Sequence, residues 1–329
     1  MEDWGRVIKI EDGRIGSLKE EAWKEMFREM SLKGGIRFNE AMGRHTSFRI
    51  GGPAEVMFFP EDISDLKMVL KVARTKGIPV FILGMGTNLL VRDGGIPGIT
   101  INLKSLNKIK ILETPNSELQ TPNFIYVEAG VTLPKLLSFT AKNGLEGLEF
   151  TAGIPGALGG AIVMNAGTKE GEMKDILDSV TLINNDGELV VVMKDDIPFG
   201  YRRSGLEGMV IVGATLRLSK GEPDEIKKRI RIRLEERAIK EPSGIPNAGS
   251  IFKNPESDSA GKVIEETGLK GFRMGDAEIS QIHANFIVNK GKAKSADVIS
   301  LMRVIEEKVF KEKGIVLEPE IRIVGVNDN

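Results

Sequence analysis

The sequence of 329 residues contains no cysteine. This absence excludes disulfide bonds, thiolate nucleophiles, iron–sulfur clusters and zinc sites with cysteine ligands. Histidine is nearly as scarce, because His45 and His283 are the only two and they lie far apart in the chain. We therefore expect no metal site built from histidines and predict no bound metal.

The sequence also lacks long apolar runs and a strong excess of charge. No segment is long enough to span a bilayer, and the first residues do not form the basic and apolar regions of a signal peptide. The formal net charge is −1, from 46 basic and 47 acidic residues, which gives no long-range field for nucleic acid or anionic membranes. We predict a soluble, cytoplasmic protein that binds neither. The basic run 227–233 is better explained by a solvated helix face, because acidic residues surround it at helical spacing.

Short apolar strands alternate with amphipathic helices along the chain, in a mixture that does not suit one large parallel sheet. The length is sufficient for two or three structural units. We predict the α+β class with three lobes, formed by residues 1–105, 106–219 and 220–329. The last boundary is placed at the turn-forming sequence 220–223, ahead of an amphipathic helix.

Three of the predicted helices carry four apolar residues each at a spacing of three or four positions. The first begins at a capping box from Ser17 to Glu20, the second covers 224–240, and the third covers 295–313 and ends at Gly314. The residues expected to face inward are, helix by helix, Leu18, Ala22, Met26 and Met30; Ile226, Ile230, Leu234 and Ala238; and Val298, Met302, Ile305 and Val309.

The first candidate site is the sequence GMGTN, residues 84–88, directly after a predicted strand at 80–83. A glycine-rich turn exposes backbone N–H groups that can hold a diphosphate. The spacing is not G-x-G-x-x-G and no long helix follows, so a Rossmann motif is excluded. A tight structural turn is an equally good interpretation of this segment alone.

The second candidate site is a stretch with five glycines within fifteen residues, 153–167. Glycines flanked by small or apolar residues suit the close approach of a flat, largely apolar ligand. A kinked helix packed against a sheet is the structural alternative. Together, the two glycine-rich segments suit a nucleotide cofactor that has both a diphosphate and an aromatic ring system.

Three further residues are candidates for chemistry. Arg202, beside Tyr201, could clamp a carboxylate or phosphate, although a solvated surface arginine is the more common outcome. Ser250 follows a glycine, without a G-x-S-x-G motif or an evident histidine base, so proton donation is a better hypothesis than covalent attack. Glu320 shares a strand face with Arg322, where a solvent-facing ion pair is the simple alternative.

Seven segments in a fixed order resemble the UDP-N-acetylenolpyruvoylglucosamine reductase family. The match extends from about residue 45 to residue 325, and the combination is specific although each segment alone is not. The segments are HTSFRIGGP, GMGTN, GIPGALGG with its downstream NAG, GYRRS, NAGSIFKNP, HANFIVN and EPEIRIVG.

The resemblance implies a flavoenzyme with two lobes that form an FAD-binding module of the vanillyl-alcohol-oxidase (PCMH) type. A third, C-terminal lobe would bind substrate, with the last strand returning to the active site. FAD would be held non-covalently, and NADPH would reduce it before the sugar nucleotide enters the same cleft. The implied reaction reduces UDP-N-acetylglucosamine enolpyruvate to UDP-N-acetylmuramate in peptidoglycan precursor synthesis. The oligomeric state stays open, and a monomer is compatible with the resemblance.

The resemblance also assigns residues, motif by motif. Arg202 would stabilise the negative charge of the intermediate, Glu320 would polarise or hold it, and Ser250 would donate the proton. The implied cofactor-binding residues are Gly84, Met85, Gly86, Thr87, Asn88 and Leu89 at the diphosphate, and Gly153, Ile154, Gly156, Gly159, Gly160 and Ala161 at the flavin. The implied substrate-binding residues are Tyr201, Asn254, Lys262 and His283.

Two features depart from the family pattern. Tyr126 and Tyr201 are the only tyrosines, so the chain resembles the branch that lacks an extra tyrosine-bearing loop. Ile282 stands where a basic residue is expected before His283. Two alternatives remain open: a related flavin oxidase for another substrate, in which His45 could bond FAD covalently, and a nucleotide-binding regulatory protein that uses the basic helix.

Overall fold

The computed structural model describes residues 20–112, 123–256 and 258–328. Helices and strands are mixed throughout these ranges, which confirms the α+β class. The helices are α1 Glu20–Arg28, α2 Ile63–Thr75, α3 Leu133–Lys142, α4 Leu158–Val163, α5 Met173–Ile176, α6 Pro223–Lys240, α7 Ala260–Glu266 and α8 Ser295–Lys313. None of these helices is long and apolar enough to cross a membrane.

The strands form sheets of different sizes rather than one continuous sheet. In chain order they are β1 Gly35–Ala41, β2 Pro53–Phe59, β3 Val80–Leu83, β4 Leu89–Val91, β5 Ile96–Asn102, β6 Ile109–Leu112, β7 Asn123–Glu128, β8 Leu145–Glu146, β9 Gly167–Thr168, β10 Gly171–Glu172, β11 Leu177–Ile183, β12 Leu189–Met193, β13 Val210–Lys220, β14 Asn247–Ser250, β15 Arg273–Met274, β16 Ala277–Ile279, β17 Phe286–Asn289 and β18 Arg322–Val324.

The described chain divides into two structural units. The first unit contains the described residues up to Phe38, together with Val56–Met85 and Gly98–Glu236. The second unit contains Asn39–Glu55, Gly86–Pro97 and the described residues from Arg237 onwards. The loop at residues 84–88 therefore contributes to both units. The division into three lobes at residues 105 and 219 stays a prediction.

The first unit contains an antiparallel sheet of strand order β12–β11–β13–β7–β6, with β8 paired to the end of β13. Residues on its inner face, such as Ile125, Val127 and Leu216, are fully buried. Helix α4 lies against β7 and β13. The second glycine-rich segment is therefore fixed on this sheet.

A second sheet has the strand order β1–β2–β5–β3. Helix α2 connects β2 to β3; the side chain of Asp62 accepts a hydrogen bond from the N–H of Asp65 at its start, and Gly77 follows its end at φ 64°. Strand β3 covers residues 80–83 as predicted and pairs in parallel with β5. The first glycine-rich segment follows β3 directly.

The second unit contains the antiparallel sheet β14–β17–β16–β15, and α8 packs on it. The predicted bounds of α8 are confirmed, since it covers residues 295–313 and Gly314 follows in the left-handed conformation at φ 68°. The four residues predicted to face inward from this helix are all buried. The short strand β18 pairs in parallel with β4, with Arg322 opposite Leu89, which brings the end of the chain beside the 86–89 segment.

The predicted inward face of the 224–240 helix is confirmed for Ile226 and Ile230 and is wrong beyond Ile230. Helix α6 has the predicted position, but Leu234 is 45% exposed and Ala238 is exposed as well. The reason is electrostatic. Arg229 turns towards the sheet, where its Nη2 lies 2.6 Å from Glu149 and 2.7 Å from Glu146. This ion-pair cluster takes the place of an apolar contact.

The inward face predicted for the first helix is also partly wrong. Ser17 and Leu18 lie outside the described residues, and α1 is described from Glu20. Ala22 is exposed, whereas Trp23, Met26 and Phe27 are buried. Trp23 stacks on Phe27 with ring centroids 6.2 Å apart. Because aromatic rings bury much more apolar area than a methyl group, they determine which face turns inward.

Candidate active site

Ser250 ends strand β14, where it pairs with Phe286 of β17. The strand is irregular just before it, because Gly249 has φ 78° and the Asn247 Oδ1 accepts a hydrogen bond from the Gly249 N–H at 2.9 Å. The Ser47 hydroxyl donates to the main-chain oxygen of Asn247 at 2.6 Å. The turn before Ser250 is thus fixed by two side chains.

Glu320 is held beside the segment that follows Ser250. The N–H of Glu320 donates to the main-chain oxygen of Ile251 at 2.8 Å. The N–H of Lys253 donates to the main-chain oxygen of Glu318, also at 2.8 Å. These two hydrogen bonds join distant parts of the sequence, so the structure brings the predicted residues Ser250 and Glu320 together.

Asn88 is attached to the same place. Its Nδ2 donates to the main-chain oxygen of Glu320 at 3.1 Å, and the N–H of Arg322 donates to the oxygen of Asn88 at 3.0 Å. The predicted diphosphate-binding loop and the main chain of Glu320 are therefore parts of one hydrogen-bonded framework.

Gly86 has a structural reason to be glycine. Its φ is 62°, and an added Cβ would lie 2.1 Å from the main-chain oxygen of His45. The N–H of Ser47 donates to the Gly86 oxygen at 3.1 Å. The His45 ring lies within the same unit, with its Nε2 2.9 Å from Glu40 Oε1 and a side chain 15% exposed.

Arg202 lies in the first unit, in a turn closed by a bridge between Gly200 and Arg203. Its φ of 56° is unusual for a residue with a side chain, and its Nη1 donates to the main-chain oxygen of Gly167 at 3.0 Å. Its guanidinium carbon lies 5.2 Å from the ring centroid of Tyr201, which is 50% exposed. The turn therefore presents a cation and an aromatic ring next to each other.

A fully buried asparagine supports this turn. The Nδ2 of Asn165 donates to Glu172 Oε2 at 2.9 Å and to the oxygen of Gly200 at 3.2 Å. Its Oδ1 accepts a hydrogen bond from the N–H of Lys174 at 3.0 Å. The NAG sequence at 165–167 thus underlies the arginine-bearing turn through Asn165 and Gly167.

Three of the four glycines at 153–160 are explained by backbone conformation or close packing, and the fourth, Gly160, is not. Gly153 and Gly156 have φ values of 79° and 147°, and a Cβ on Gly159 would lie 3.1 Å from the Cβ of Ala129. Gly160 has no heavy atom within 4 Å of an added Cβ. Ile154 and Ala161 flank these positions, and both are packed into the core of the first unit.

Within the two glycine-rich segments, the protein itself does not explain why residues 84 and 160 are glycine, and these two positions test whether a cofactor fits. Gly84 and Gly160 are not among the positive-φ residues. A Cβ at Gly84 would meet only the Cβ of Ala157, at 3.7 Å, and a Cβ at Gly160 would meet open space. Bare backbone with free space in front of it is what a closely approaching nucleotide requires. The two segments therefore fit the predicted cofactor.

The residues predicted to bind substrate have local partners in the described structure. Asn254 Oδ1 accepts from the N–H of Ala260 at 3.0 Å, and Lys262 Nζ lies 2.6 Å from Asp258 Oδ2. Both Asn254 and Lys262 are exposed. These contacts account for the two residues structurally, and they leave the side chains at the surface where a ligand could replace the partners.

His283 is half-buried, and its Nδ1 accepts a hydrogen bond from the N–H of Asn285 at 3.2 Å. The neutral ring therefore carries its proton on Nε2. Burial lowers the pKa of His283, because a charged ring would lose hydration there. The ring is a neutral hydrogen-bond donor towards whatever faces Nε2.

The sequence reasoning missed two asparagines, Asn165 and Asn285. Both are buried and use their amides to bind main-chain groups of the segments that carry Arg202 and Ser250. Both lie within motifs that carried the resemblance, NAG and HANFIVN. The usable signal was chemical, since an asparagine inside an apolar or glycine-rich motif offers a donor and an acceptor that must be satisfied when buried.

Comparisons with known proteins identify the family. Residues 54–193 match the model of an FAD-binding domain. Residues 241–324 match the model of the C-terminal domain of UDP-N-acetylenolpyruvoylglucosamine reductase. A reductase of that name from Clostridium tetani is 42% identical over 292 residues, which is 88% of this chain and 92% of the relative.

The chain belongs to the UDP-N-acetylenolpyruvoylglucosamine reductase family. A second reductase, from Geotalea uraniireducens, is also 42% identical and covers 90% of this chain and 96% of its own length. The crystal structure of the reductase from Thermus caldophilus is 36% identical, covers 89% of this chain and 99% of its own, and has a TM-score of 0.73. Family membership confirms the predicted family, the FAD-dependent oxidoreductase class and the FAD-binding fold.

Proposed function

We propose that this chain catalyses the NADPH-dependent reduction of UDP-N-acetylglucosamine enolpyruvate to UDP-N-acetylmuramate, and that Arg202, Ser250 and Glu320 carry the reaction. The observation that supports the proposal is a hydrogen-bonded framework beside Ser250: the N–H of Glu320 donates to the oxygen of Ile251 at 2.8 Å, and Asn88 donates to the oxygen of Glu320 at 3.1 Å. It supports the proposal that the residues bearing the hydroxyl and the carboxylate act beside Asn88 of the diphosphate loop. The relatives that are 42% identical favour this activity over a flavin oxidase for another substrate.

The substrate determines what the protein must supply. Its enolpyruvyl group is an alkene conjugated to a carboxylate, so hydride addition at the terminal carbon leaves negative charge on the neighbouring carbon and the carboxylate. When bound, FAD supplies that hydride after it has been reduced by NADPH. The protein must bind the substrate carboxylate, stabilise the developing charge and deliver a proton to the neighbouring carbon.

Arg202 has the chemistry for the charge. A guanidinium remains protonated at any physiological pH and can form two parallel hydrogen bonds to a carboxylate. The Nη1 of Arg202 is already used by the oxygen of Gly167, which fixes the direction of the side chain. Such pre-orientation lowers the reorganisation needed when the charge forms.

Ser250 has the chemistry for the proton. A serine hydroxyl is a very weak acid, and it can protonate only a strongly basic acceptor that lies within hydrogen-bond reach. A carbanion next to a carboxylate is such an acceptor. Glu320, held beside the Ser250 segment, would hold or polarise the intermediate. Gly84–Leu89 and Gly153–Ala161 would bind FAD non-covalently, and Tyr201, Asn254, Lys262 and His283 would face the sugar nucleotide.

Turnover of a matched pair of arginine variants tests this function. Under anaerobic conditions the FAD-loaded protein should oxidise NADPH over many turnovers only when the enolpyruvyl sugar nucleotide is present, and the product should be heavier by two hydrogen atoms. Arg202→Lys keeps the charge but loses the planar fork, so turnover should fall by about 100-fold or more while FAD stays bound. Arg203→Lys makes the same change at the exposed neighbouring residue and should retain turnover within about twofold.

Near-normal turnover of Arg202→Lys would remove the guanidinium from the mechanism. Anaerobic NADPH turnover that the enolpyruvyl substrate does not increase would overturn the activity itself. The cytoplasmic location stays a prediction from the sequence, which assigns no oligomeric state.

A further inference from the structure

Asn285 is a buried amide directly beside the segment that follows Ser250. Its side chain belongs to a residue only 2% exposed. The Oδ1 accepts a hydrogen bond from the N–H of Phe252 at 2.9 Å, and the Nδ2 donates to the oxygen of Phe252 at 2.8 Å. The main-chain oxygen of Asn285 accepts from the N–H of Ile251, also at 2.9 Å.

These bonds extend a strand pairing that would otherwise end. The ladder between β14 and β17 has its last pair at Ser250 and Phe286. Two residues beyond Ser250, the Asn285 amide satisfies both main-chain groups of Phe252, as a neighbouring strand would. The chain after Ser250 therefore stays fixed against β17 although the strand has ended.

The opposite side of the same segment holds Glu320. The oxygen of Ile251 accepts from the N–H of Glu320 at 2.8 Å, and Phe252 forms a bridge with Pro319. The side chains of Ile251 and Phe252 are fully buried. Residues 251–252 are thus held between Asn285 on one side and the turn before β18 on the other, and a shift of this segment moves Ser250 and Glu320 together.

We propose that Asn285 is a positioning residue for proton delivery: its amide holds the 251–252 segment so that the Ser250 hydroxyl and the Glu320 carboxylate keep their placement towards the substrate. The inference rests on the proposed role of Ser250. Asn285 itself does not touch the reacting atoms in this role. A misplacement of about 1 Å at a reacting group lowers a rate by roughly 100-fold, so a buried amide can matter greatly without contact.

A purely structural role predicts a different result, and the chain offers a matched control. Asn289, four residues along, is also a buried asparagine, 4% exposed. Its Nδ2 donates to the oxygen of Phe48 at 3.1 Å, and its Oδ1 accepts from Gly291 and Ala293 at 3.0 and 3.1 Å. It binds three main-chain groups, one more than the Asn285 side chain, and none of them lies in residues 250–253.

The experiment compares Asn285→Ala and Asn289→Ala, each alone and combined with Ser250→Ala. Thermal unfolding of each protein measures the structural cost. Anaerobic single turnovers measure two rate constants separately: flavin reduction by NADPH, and reoxidation by the enolpyruvyl substrate. Solvent deuterium isotope effects on reoxidation show whether proton transfer limits that step.

We expect both alanine variants to lower the unfolding temperature, because each leaves buried main-chain groups without partners. Only Asn285→Ala should slow reoxidation, by about tenfold or more and with a larger solvent isotope effect, while flavin reduction stays within about twofold. In the Ser250→Ala background, Asn285→Ala should lower reoxidation by less than about threefold further, because both changes disable the same step.

The inference would be overturned if Asn285→Ala slowed flavin reoxidation by the same factor in the wild-type and Ser250→Ala backgrounds. It would also be overturned if Asn289→Ala slowed reoxidation as much as Asn285→Ala does. If instead the proposed role of Ser250 is wrong, Ser250→Ala alone would leave the rate of flavin reoxidation unchanged. Asn285→Asp serves if the alanine variant does not fold. The aspartate keeps the acceptor for the N–H of Phe252 and loses the donor to the main-chain oxygen of Phe252. It should slow flavin reoxidation and not flavin reduction, as the alanine variant does, but by a smaller factor.

Discussion

Replacing Gly84 with alanine separates what the cofactor requires from what the protein requires. Gly84 is not among the positive-φ glycines, and the nearest heavy atom to an added Cβ is the Cβ of Ala157, at 3.7 Å. Alanine therefore fits the free protein without strain. It also restricts the unfolded chain, which at a compatible position raises stability by about 0.4–1 kcal/mol.

The same methyl group should weaken FAD binding, because the proposed diphosphate contact uses the bare backbone at Gly84. An extra methyl group in a packed contact costs about 1–3 kcal/mol. Since about 1.4 kcal/mol corresponds to a factor of ten, the dissociation constant for FAD should rise roughly 5- to 150-fold. Stability and affinity are thus expected to change in opposite directions.

Titration of the apoprotein with FAD, followed by flavin fluorescence, measures the affinity, and thermal unfolding of the apoprotein measures the stability. Gly35→Ala is the matched control, because an added Cβ there meets no heavy atom within 4 Å and the residue lies outside both glycine-rich segments. It should bind FAD like the wild type. An unchanged affinity in a stable Gly84→Ala protein would refute the proposed contact.

Gly86→Ala should be destabilised by about 2–5 kcal/mol, because φ at this position is 62° and the new Cβ would lie 2.1 Å from the oxygen of His45. Thermal unfolding of the apoprotein measures the loss, and a stable variant would contradict the described turn. Arg229→Met should lower stability at neutral pH by about 1–3 kcal/mol. Burial opposes ionisation of Glu149, but hydrogen bonds from Arg229 and the neighbouring main chain outweigh it and lower the pKa of Glu149 below 4.5. The stability difference between wild type and Arg229→Met should therefore shrink as pH falls below 4.5. Burial lowers the pKa of His283 below 6.5, so the unfolded protein binds more protons at this residue than the folded protein does. The stability of the wild type should therefore fall relative to His283→Gln as pH drops below 6.5, measured by urea unfolding at several pH values. Parallel pH profiles would show that the ring is not desolvated.

The elements that the sequence predicts correctly are those whose pattern is strong and local. Helix α8 has an uninterrupted apolar stripe from Val298 to Val309 and ends at a glycine in the left-handed conformation, so both its face and its end are determined within the segment. The inward face of α6 was not predictable in this way. Arg229 finds Glu146 and Glu149 about 80 residues away, and such pairing has no local signal.

The residues of the candidate site are even harder to predict from local sequence patterns. Ser250, Glu320 and Arg202 carry no motif that separates them from an ordinary loop serine or surface ion pair, and only the family resemblance selected them. What places Ser250 beside Glu320 is a main-chain hydrogen bond to Ile251, which any residue type could form. The supporting role of Asn285 depends on the same non-local contact, so it became visible only once the strands were paired.

The most direct test of the account is an anaerobic stopped-flow comparison of wild type and Ser250→Ala, each first reduced with NADPH and then mixed with the enolpyruvyl sugar nucleotide. The account predicts that flavin reduction by NADPH stays within about twofold, because no proton donor is needed there, and that reoxidation by substrate slows by about 1000-fold or more. Equal slowing of the two half-reactions, or reoxidation at the wild-type rate, would contradict proton delivery by Ser250.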